Sequence, residues 1–459
     1  MDARLQPAIT GQPQSVRAEL RALLALATPL IIQNVANEGM QFVDTLMAGR
    51  LSTVTLAGVA VGGTIWVPVF LFALGLLMAL SPTVAHLHGS GDEQAVGSHV
   101  RQTLWLSQAV GWGGFFLLRQ AAPVFEWIGV AGPVVPAAHA YLNGIAWGLP
   151  GICLFLVLRF TSEGIGYTRP LLYVALAGLG LNVVLDYILM YGVWGLPRLG
   201  AYGCGLASAI VMWLMFVTLL FHVLRARRYR PLALFAAFEW PRPGPLIDLF
   251  RLGFPIGVSI FMEVSLFAAI ALIMGTLGTQ IVAAHQIAVN FAATMFMVPM
   301  GVAMAITVRV GYARGRGDAA GARRVGLLGI GLCMAFMALS ALGMTLFPAV
   351  IAGWYTDNAA VRNIAISLLG MAAIFQISDG LQVSAAGALR GYKDTHLPMW
   401  VTVIAYWLIG LPLAWLLGIY WQLGPRAVWG GFIGGLSVAA VLLSLRFWRI
   451  SRPPTGSIH

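Results

Sequence analysis

A chain of 459 residues that is 59% hydrophobic and only 9% charged, with mean hydropathy +0.85, is too apolar for a soluble globular protein. A helical crossing takes about 20 mostly apolar residues, so short connections leave room for roughly a dozen crossings and for no large soluble domain. The formal charge of +11 does not indicate nucleic acid: 22 of the 27 Lys and Arg fall on one side of the predicted spans, against Arg50, Arg119, Arg198, Arg362 and Arg426 on the other, which is positive-inside asymmetry.

The first 19 residues are polar and lack a secretory core and cleavage site, so the first apolar helix is expected to serve as the insertion signal. Twelve apolar stretches are centred near residues 33, 68, 110, 147, 181, 213, 261, 293, 336, 373, 407 and 437. The longest polar connection, with Arg225, Arg227, Arg228 and Arg230 followed by Pro241, Pro243 and Pro245, divides them six and six. The expected division is an N-terminal lobe over 1–228, a cytoplasmic linker over 229–245 and a C-terminal lobe over 246–459, with both termini on the cytoplasmic side. Cys153, Cys204 and Cys333 sit in apolar runs without paired spacing, which supports packing and neither a disulfide nor a zinc site.

The halves align at a constant offset of 226: Pro29 on Pro255, Gly49 on Gly275, Ala57 on Ala283, and Gly89, Gly91 and Asp92 on Gly315, Gly317 and Asp318. At nearly that offset Gly166-Tyr167 matches Gly391-Tyr392 and Gly203 matches Gly430. Six spans return the chain to its starting side, so the repeats insert in the same orientation. The expected fold is an all-α polytopic membrane protein: twelve transmembrane helices in two six-helix bundles related by a pseudo-two-fold along the membrane normal, with substrate between the lobes.

Five of the 16 acids fall inside predicted spans: Glu38, Asp44, Asp186, Glu263 and Asp379. A charge centred in hydrocarbon costs about 2.5–3.5 kcal/mol on insertion scales, so these groups should face protein or water. No Lys or Arg is predicted deep in a span, so each acid must be protonated, bind a metal cation or meet a cationic ligand. On the first span Asn34, Asn37, Gln41 and Asp44 recur at helical spacing and form one polar stripe. Glu38 lies about 120° from Asp44 and is as well explained as a pore-lip group. Asn182 and Asp186 share a face of the fifth span and with Asp44 can offer oxygens to Na⁺ or hold a proton; a polar knot that only joins helices is the bland alternative. Ser259 and Glu263 on the seventh span, with Gln376 and Asp379 on the tenth, make a second such set, whose alternative is a shared-proton pair fixing helix packing.

His86, His88 and His285 are expected to be satisfied or solvated, Glu126 and Asp357 to be outer-loop charges, and Glu163 to pair at the inner surface with Arg159 or Arg169. Phe267, Met295, Phe296, Met297 and Met300 suit an adaptable wall for flat cations, though core packing would look the same. No phosphate loop and no nucleophile-plus-base spacing occurs, so an enzyme is not expected.

Phe42-Val43-Asp44-Thr45-Leu46-Met47-Ala48-Gly49 resembles the first-helix motif of the multidrug and toxic compound extrusion (MATE) transporters, NorM-like bacterial branch, and Ala283-Ala284-His285-Gln286-Ile287 resembles their eighth-helix motif. Val308-Arg309-Val310-Gly311 and Leu389-Arg390-Gly391-Tyr392 are similar to their inner-loop motifs, and the likeness covers nearly the whole chain. It implies a V-shaped pair of bundles in a bacterial inner membrane, acting as a monomer without cofactor and exporting small organic cations in exchange for Na⁺ or H⁺. It implies ion coupling at Glu263 and Asp379, which would also hold Na⁺, and at Asp44, Asp186 and Asn182, with substrate contacts from Asp44, Asn37, Gln41, Phe267, Gln286 and Phe296. Phe296 stands where some relatives place a Tyr, so a hydroxyl is not supplied there. A lipid-linked oligosaccharide flippase of related architecture is the alternative, but it would need cationic side chains for phosphate in its central cavity.

Overall fold

A computed structural model describes residues 15–452 apart from 128, 130, 131 and 196. The expectations for the two termini and for the Glu126 side chain lie outside the described residues.

Among the described residues every regular element is helical. The order is α1 (Val16–Leu51), α2 (Thr53–Leu77), α3 (Leu80–Ser90), α4 (Glu93–Arg119), α5 (Ala122–Trp127), α6 (Val135–Ile145), α7 (Gly148–Gly164), α8 (Arg169–Tyr191) and α9 (Gly200–Arg225). Then come α10 (Pro243–Thr276), α11 (Thr279–Gly315), α12 (Ala319–Leu346), α13 (Pro348–Gly353), α14 (Ala359–Gly391), α15 (His396–Val403), α16 (Leu411–Trp415) and α17 (Pro425–Ile450). Each of the twelve expected stretches coincides with helix. Among the described residues, ten helical segments are long and apolar enough to cross a membrane, and α6 with α7, bent by 43°, makes an eleventh. The remaining stretch is α4, whose 27 residues would reach about 40 Å but whose His99, Gln102 and Gln108 dilute its hydropathy.

Two compact units emerge: Ile32–Gly257, and Met1–Ile31 together with Val258–His459. The boundaries fall inside α1 and α10 and themselves obey the 226 offset, each two residues past Pro29 or Pro255, where a missing N–H interrupts the helical ladder. The stretch expected as a linker belongs to the first of these units. A 3₁₀ turn (Arg227–Leu232) follows α9, and the segment after it is strapped to α4: Arg101 donates to Glu239 and to the Ala233 and Leu234 carbonyls, Gln102 Nε2 to the Trp240 carbonyl at 3.0 Å, and Trp105 Nε1 to the Glu239 carbonyl at 2.9 Å.

The repeat has a local cause. Gly91 (φ +80°) and Gly317 (φ +76°) end one helix in the left-handed region, and the next residue caps the following helix. Asp92 accepts from Ala95 N at 3.0 Å, and Asp318 from Gly321 N at 2.7 Å. Farther along, the expected pairing of Gly166 with Gly391 is corrected by packing. A Cβ on Gly164 would meet Val84 Cβ at 2.6 Å and the Ser81 carbonyl at 3.0 Å; one on Gly391 would meet Val310 Cβ at 2.7 Å and the Thr307 carbonyl at 3.0 Å. Gly164 is therefore the equivalent of Gly391, and Gly166 (φ +69°) that of Lys393 (φ +59°). Identity of residue type misled the alignment because a lysine fills the left-handed position in the second copy.

Two ion pairs stand apart from the expected surface pattern. Arg159 Nε donates to Glu163 Oε1 at 2.7 Å, the expected pairing, but both residues are buried within the protein; the neighbouring Ser162 hydroxyl bonds Tyr229 of the 3₁₀ turn at 2.7 Å. In the other unit Arg309 grips Glu19 through Nε (2.9 Å) and Nη2 (2.6 and 2.7 Å), tying the start of α1 to α11.

Candidate functional site: two clusters of buried carboxylates

In the Ile32–Gly257 unit, α1 carries Asp44, α8 carries Asn182 and Asp186, and the four-residue spacing of the latter two turns both toward Asp44. Asn182 Nδ2 donates to Asp44 Oδ1 at 3.0 Å. Ser208 Oγ, on α9, donates to Asp44 Oδ2 at 3.1 Å. Asp44, Asp186 and Cys204 each place a ligand-capable atom within 4.8 Å of the others. Among the described residues neither Asp186 oxygen nor Asn182 Oδ1 meets a hydrogen-bond donor, although all are buried. Two bare carboxylates this close repel strongly, so the arrangement calls for a proton or a cation between them. Ser208, Cys204 and Tyr141, the last within electrostatic reach of both acids, escaped the sequence reading. The four-residue spacing of Cys204 and Ser208 held a signal, since it puts both on one face of α9.

The polar stripe of α1 divides. Asp44 and Asn34 are buried, Asn37 is half-buried, and Gln41 and Glu38 are exposed. Asn34 Nδ2 has no hydrogen-bond partner among the described residues.

In the other unit, Glu263 on α10 and Asp379 on α14 come within electrostatic reach of one another. Asp379 is buried and Glu263 half-buried. Gln376 is fully buried: its Nε2 donates to the Ala292 carbonyl at 3.4 Å while Oε1 finds no donor. The expectation that no basic group approaches the acids is corrected here. Arg390, in the last turn of α14, lies within electrostatic reach of Glu263, and its Nε is buried without a hydrogen-bond partner among the described residues. Sequence position put Arg390 in an inner-loop motif; the helix runs on to Gly391 and carries the guanidinium with it.

The same unit holds an aromatic cluster. Phe267 meets Phe432 edge-on at 4.9 Å and Phe375 at 5.8 Å, and Phe375 meets Trp429 at 5.8 Å. Trp429 Nε1 donates to His285 Nδ1 at 3.2 Å, so His285 is a satisfied core histidine as expected. Phe267 and Phe296 are half-buried, and Gln286 is exposed.

A bundle of long apolar helices built from two repeats, with carboxylates buried among them, has the architecture of a membrane transporter. The chain belongs to the MatE family, whose profile matches residues 29–188 and 255–416, beginning at the two equivalent prolines. It is 43% identical over 442 residues to "Multidrug resistance protein PmpM" of Pseudomonas aeruginosa, covering 95% of this chain and 93% of that protein. It is 40% identical over 441 residues to "Multidrug resistance protein NorM" of Aliivibrio fischeri, covering 95% and 96%. The fold is that of the eukaryotic MATE transporter AtDTX14 (TM-score 0.84, 20% identity, 95% and 98% covered) and of a MATE family transporter in an outward-facing conformation (TM-score 0.87, 21% identity, 94% and 96% covered).

Proposed function

We propose that the chain is a multidrug exporter of the bacterial cytoplasmic membrane, its basic side and both termini inward, which releases small organic cations in exchange for Na⁺ or H⁺ by alternating access. The observation that carries this reading is the convergence of Glu263 and Asp379 from separate helices, beside Arg390. With both acids ionised the three groups sum to one negative charge, which a single monovalent cation neutralises. Ion occupancy here, and at Asp44 and Asp186, shifts the balance of lobe conformations because the two states bind the ion differently. Asp44, Asn37, Gln41, Phe267, Gln286 and Phe296 are the side chains offered to the drug. Drug and ion then exchange by competition for a carboxylate or by reciprocal linkage, and either obeys the same thermodynamics. The relatives named for multidrug resistance, matched end to end, support the substrate class.

The test is transport of ethidium by the purified chain in proteoliposomes under an imposed Na⁺ or proton gradient. Uptake that follows one gradient and collapses with it supports antiport; uptake indifferent to both would overturn it.

A further inference from the structure

We propose that the hydroxyl of Tyr406 is a third oxygen of the Glu263–Asp379 site and binds the coupling cation together with the two carboxylates. This rests on the ion-site reading above. Tyr406 is fully buried, and its hydroxyl has no hydrogen-bond partner among the described residues. A buried hydroxyl is normally paired, so an unpaired one beside charged groups marks a place that a ligand completes. Tyr406 lies within electrostatic reach of both Glu263 and Asp379.

The backbone explains how the ring is held there. Tyr406 sits in a π-helical segment, Ile404–Gly410, just before Pro412, which cannot donate to the Leu408 carbonyl. Such widened turns recur at functional positions because they re-aim a side chain within an otherwise regular helix. From behind, α17 presses on this segment: a Cβ on Gly435 would come within 2.5 Å of the Ala405 carbonyl and 2.6 Å of Gly410 Cα. From the front, Trp407 Nε1 donates to the Met262 carbonyl at 3.2 Å, one residue before Glu263.

In the repeat, Glu263 and Tyr406 are displaced in the same direction from the positions equivalent to the first cluster. In the Ile32–Gly257 unit, the acid on the opening helix is met by oxygens from the fifth span, Asn182 and Asp186 of α8. The Gly164–Gly391 register gives an offset of 227, which places Asn182 on Ile409 and Asp186 on Leu413, both apolar. Relative to those positions, Glu263 lies seven residues before the equivalent of Asp44, and Tyr406 three residues before the equivalent of Asn182. Both displacements run toward the N-terminus of parallel spans, so the acid and its fifth-span partner have moved the same way.

A phenol oxygen can accept a Na⁺ contact or share a proton with a carboxylate, so the two ions are separated experimentally. Ethidium transport by the full chain in proteoliposomes is titrated with Na⁺ at fixed pH and, separately, with pH in Na⁺-free medium. Tyr406→Phe is expected to raise the half-saturating concentration of the driving ion about tenfold, ~1.4 kcal/mol, with the maximal rate and equilibrium ethidium binding retained. Tyr406→Gln, which restores an oxygen, should recover part of that loss, and Tyr420→Phe, which removes an exposed hydroxyl away from the acids, should leave the ion titration unchanged. A Tyr406→Phe titration that superimposes on wild type, while Glu263→Gln has lost ion drive, overturns the proposal. If Glu263→Gln keeps its ion drive, the site reading itself fails, and the role of Tyr406 with it.

Discussion

Cutting the Glu19–Arg309 pair should be felt by the whole chain. The bond is bidentate, and the two side chains are only 2% and 5% exposed. Removing one member of a buried pair strands the other charge, which costs about 3–5 kcal/mol. At about 2.1 cal/mol/K per residue, unfolding 459 residues as one unit carries an entropy of about 1 kcal/mol/K, so Arg309→Met should lower Tm by about 3–5 °C. Glu19→Met alone should cost less, because Arg309 keeps a further interaction. The double variant, which buries two apolar chains of similar volume and no charge, should return to within about 1–2 °C of wild type. Tryptophan fluorescence during heating in detergent measures this. Single variants that melt with wild type, or a double variant that shows the sum of two losses, would refute the argument that an uncompensated charge is what hurts.

The strap over α4 should be acid-labile. Hydrogen bonds from Arg101 hold the Glu239 carboxyl below its ordinary value of 4.5. A depressed folded-state value means the latch is at full strength above about pH 4.5 and weakens as pH falls through the lowered value. Trp105 and Trp240, stacked with centroids 6.3 Å apart, should report the release by fluorescence, and Glu239→Gln should flatten the response. Lys393→Gly should stabilise slightly, by up to about 1 kcal/mol, since a lysine is held at φ +59° where its repeat partner is glycine; Gly166→Ala should do the reverse, and both are read from Tm. Ser208→Ala removes a hydroxyl that donates to Asp44, a bond to a charged acceptor worth about 1.5–3 kcal/mol, and should shift the ion titration of ethidium transport, whereas Ser444→Ala, which frees only a local helix bond, should not.

Much of the architecture could be read from residues alone because it rests on local causes. Gly91-Asp92 and Gly317-Asp318 each combine a left-handed stop with an N-cap, and this chemistry survives in both copies. The acids were also legible, since a carboxylate in an apolar span has few explanations. What the sequence hid was long-range. The unit boundary after Pro29 and Pro255 depends on which helices each half of α1 and α10 packs against. Beside the buried Arg159–Glu163 pair, Ser162 bonds Tyr229 from a turn some seventy residues later. Ser208 and Tyr406 look like ordinary polar punctuation until α9 and the π-helical segment bring them to an acid. Arg390 was assigned to a loop because its neighbours resemble a loop motif, yet the helix carrying it ends a residue later.

The central claim is that Glu263 and Asp379 form the ion-coupling site, and the most direct measurement is gradient-driven ethidium transport by Glu263→Gln and Asp379→Asn beside wild type in everted vesicles. Asp44→Asn and Asp186→Asn, run alongside, report whether the first cluster couples as well. Loss of ion drive in both second-lobe variants, with ethidium binding retained, is the predicted result. Unchanged ion-driven transport in both would contradict it.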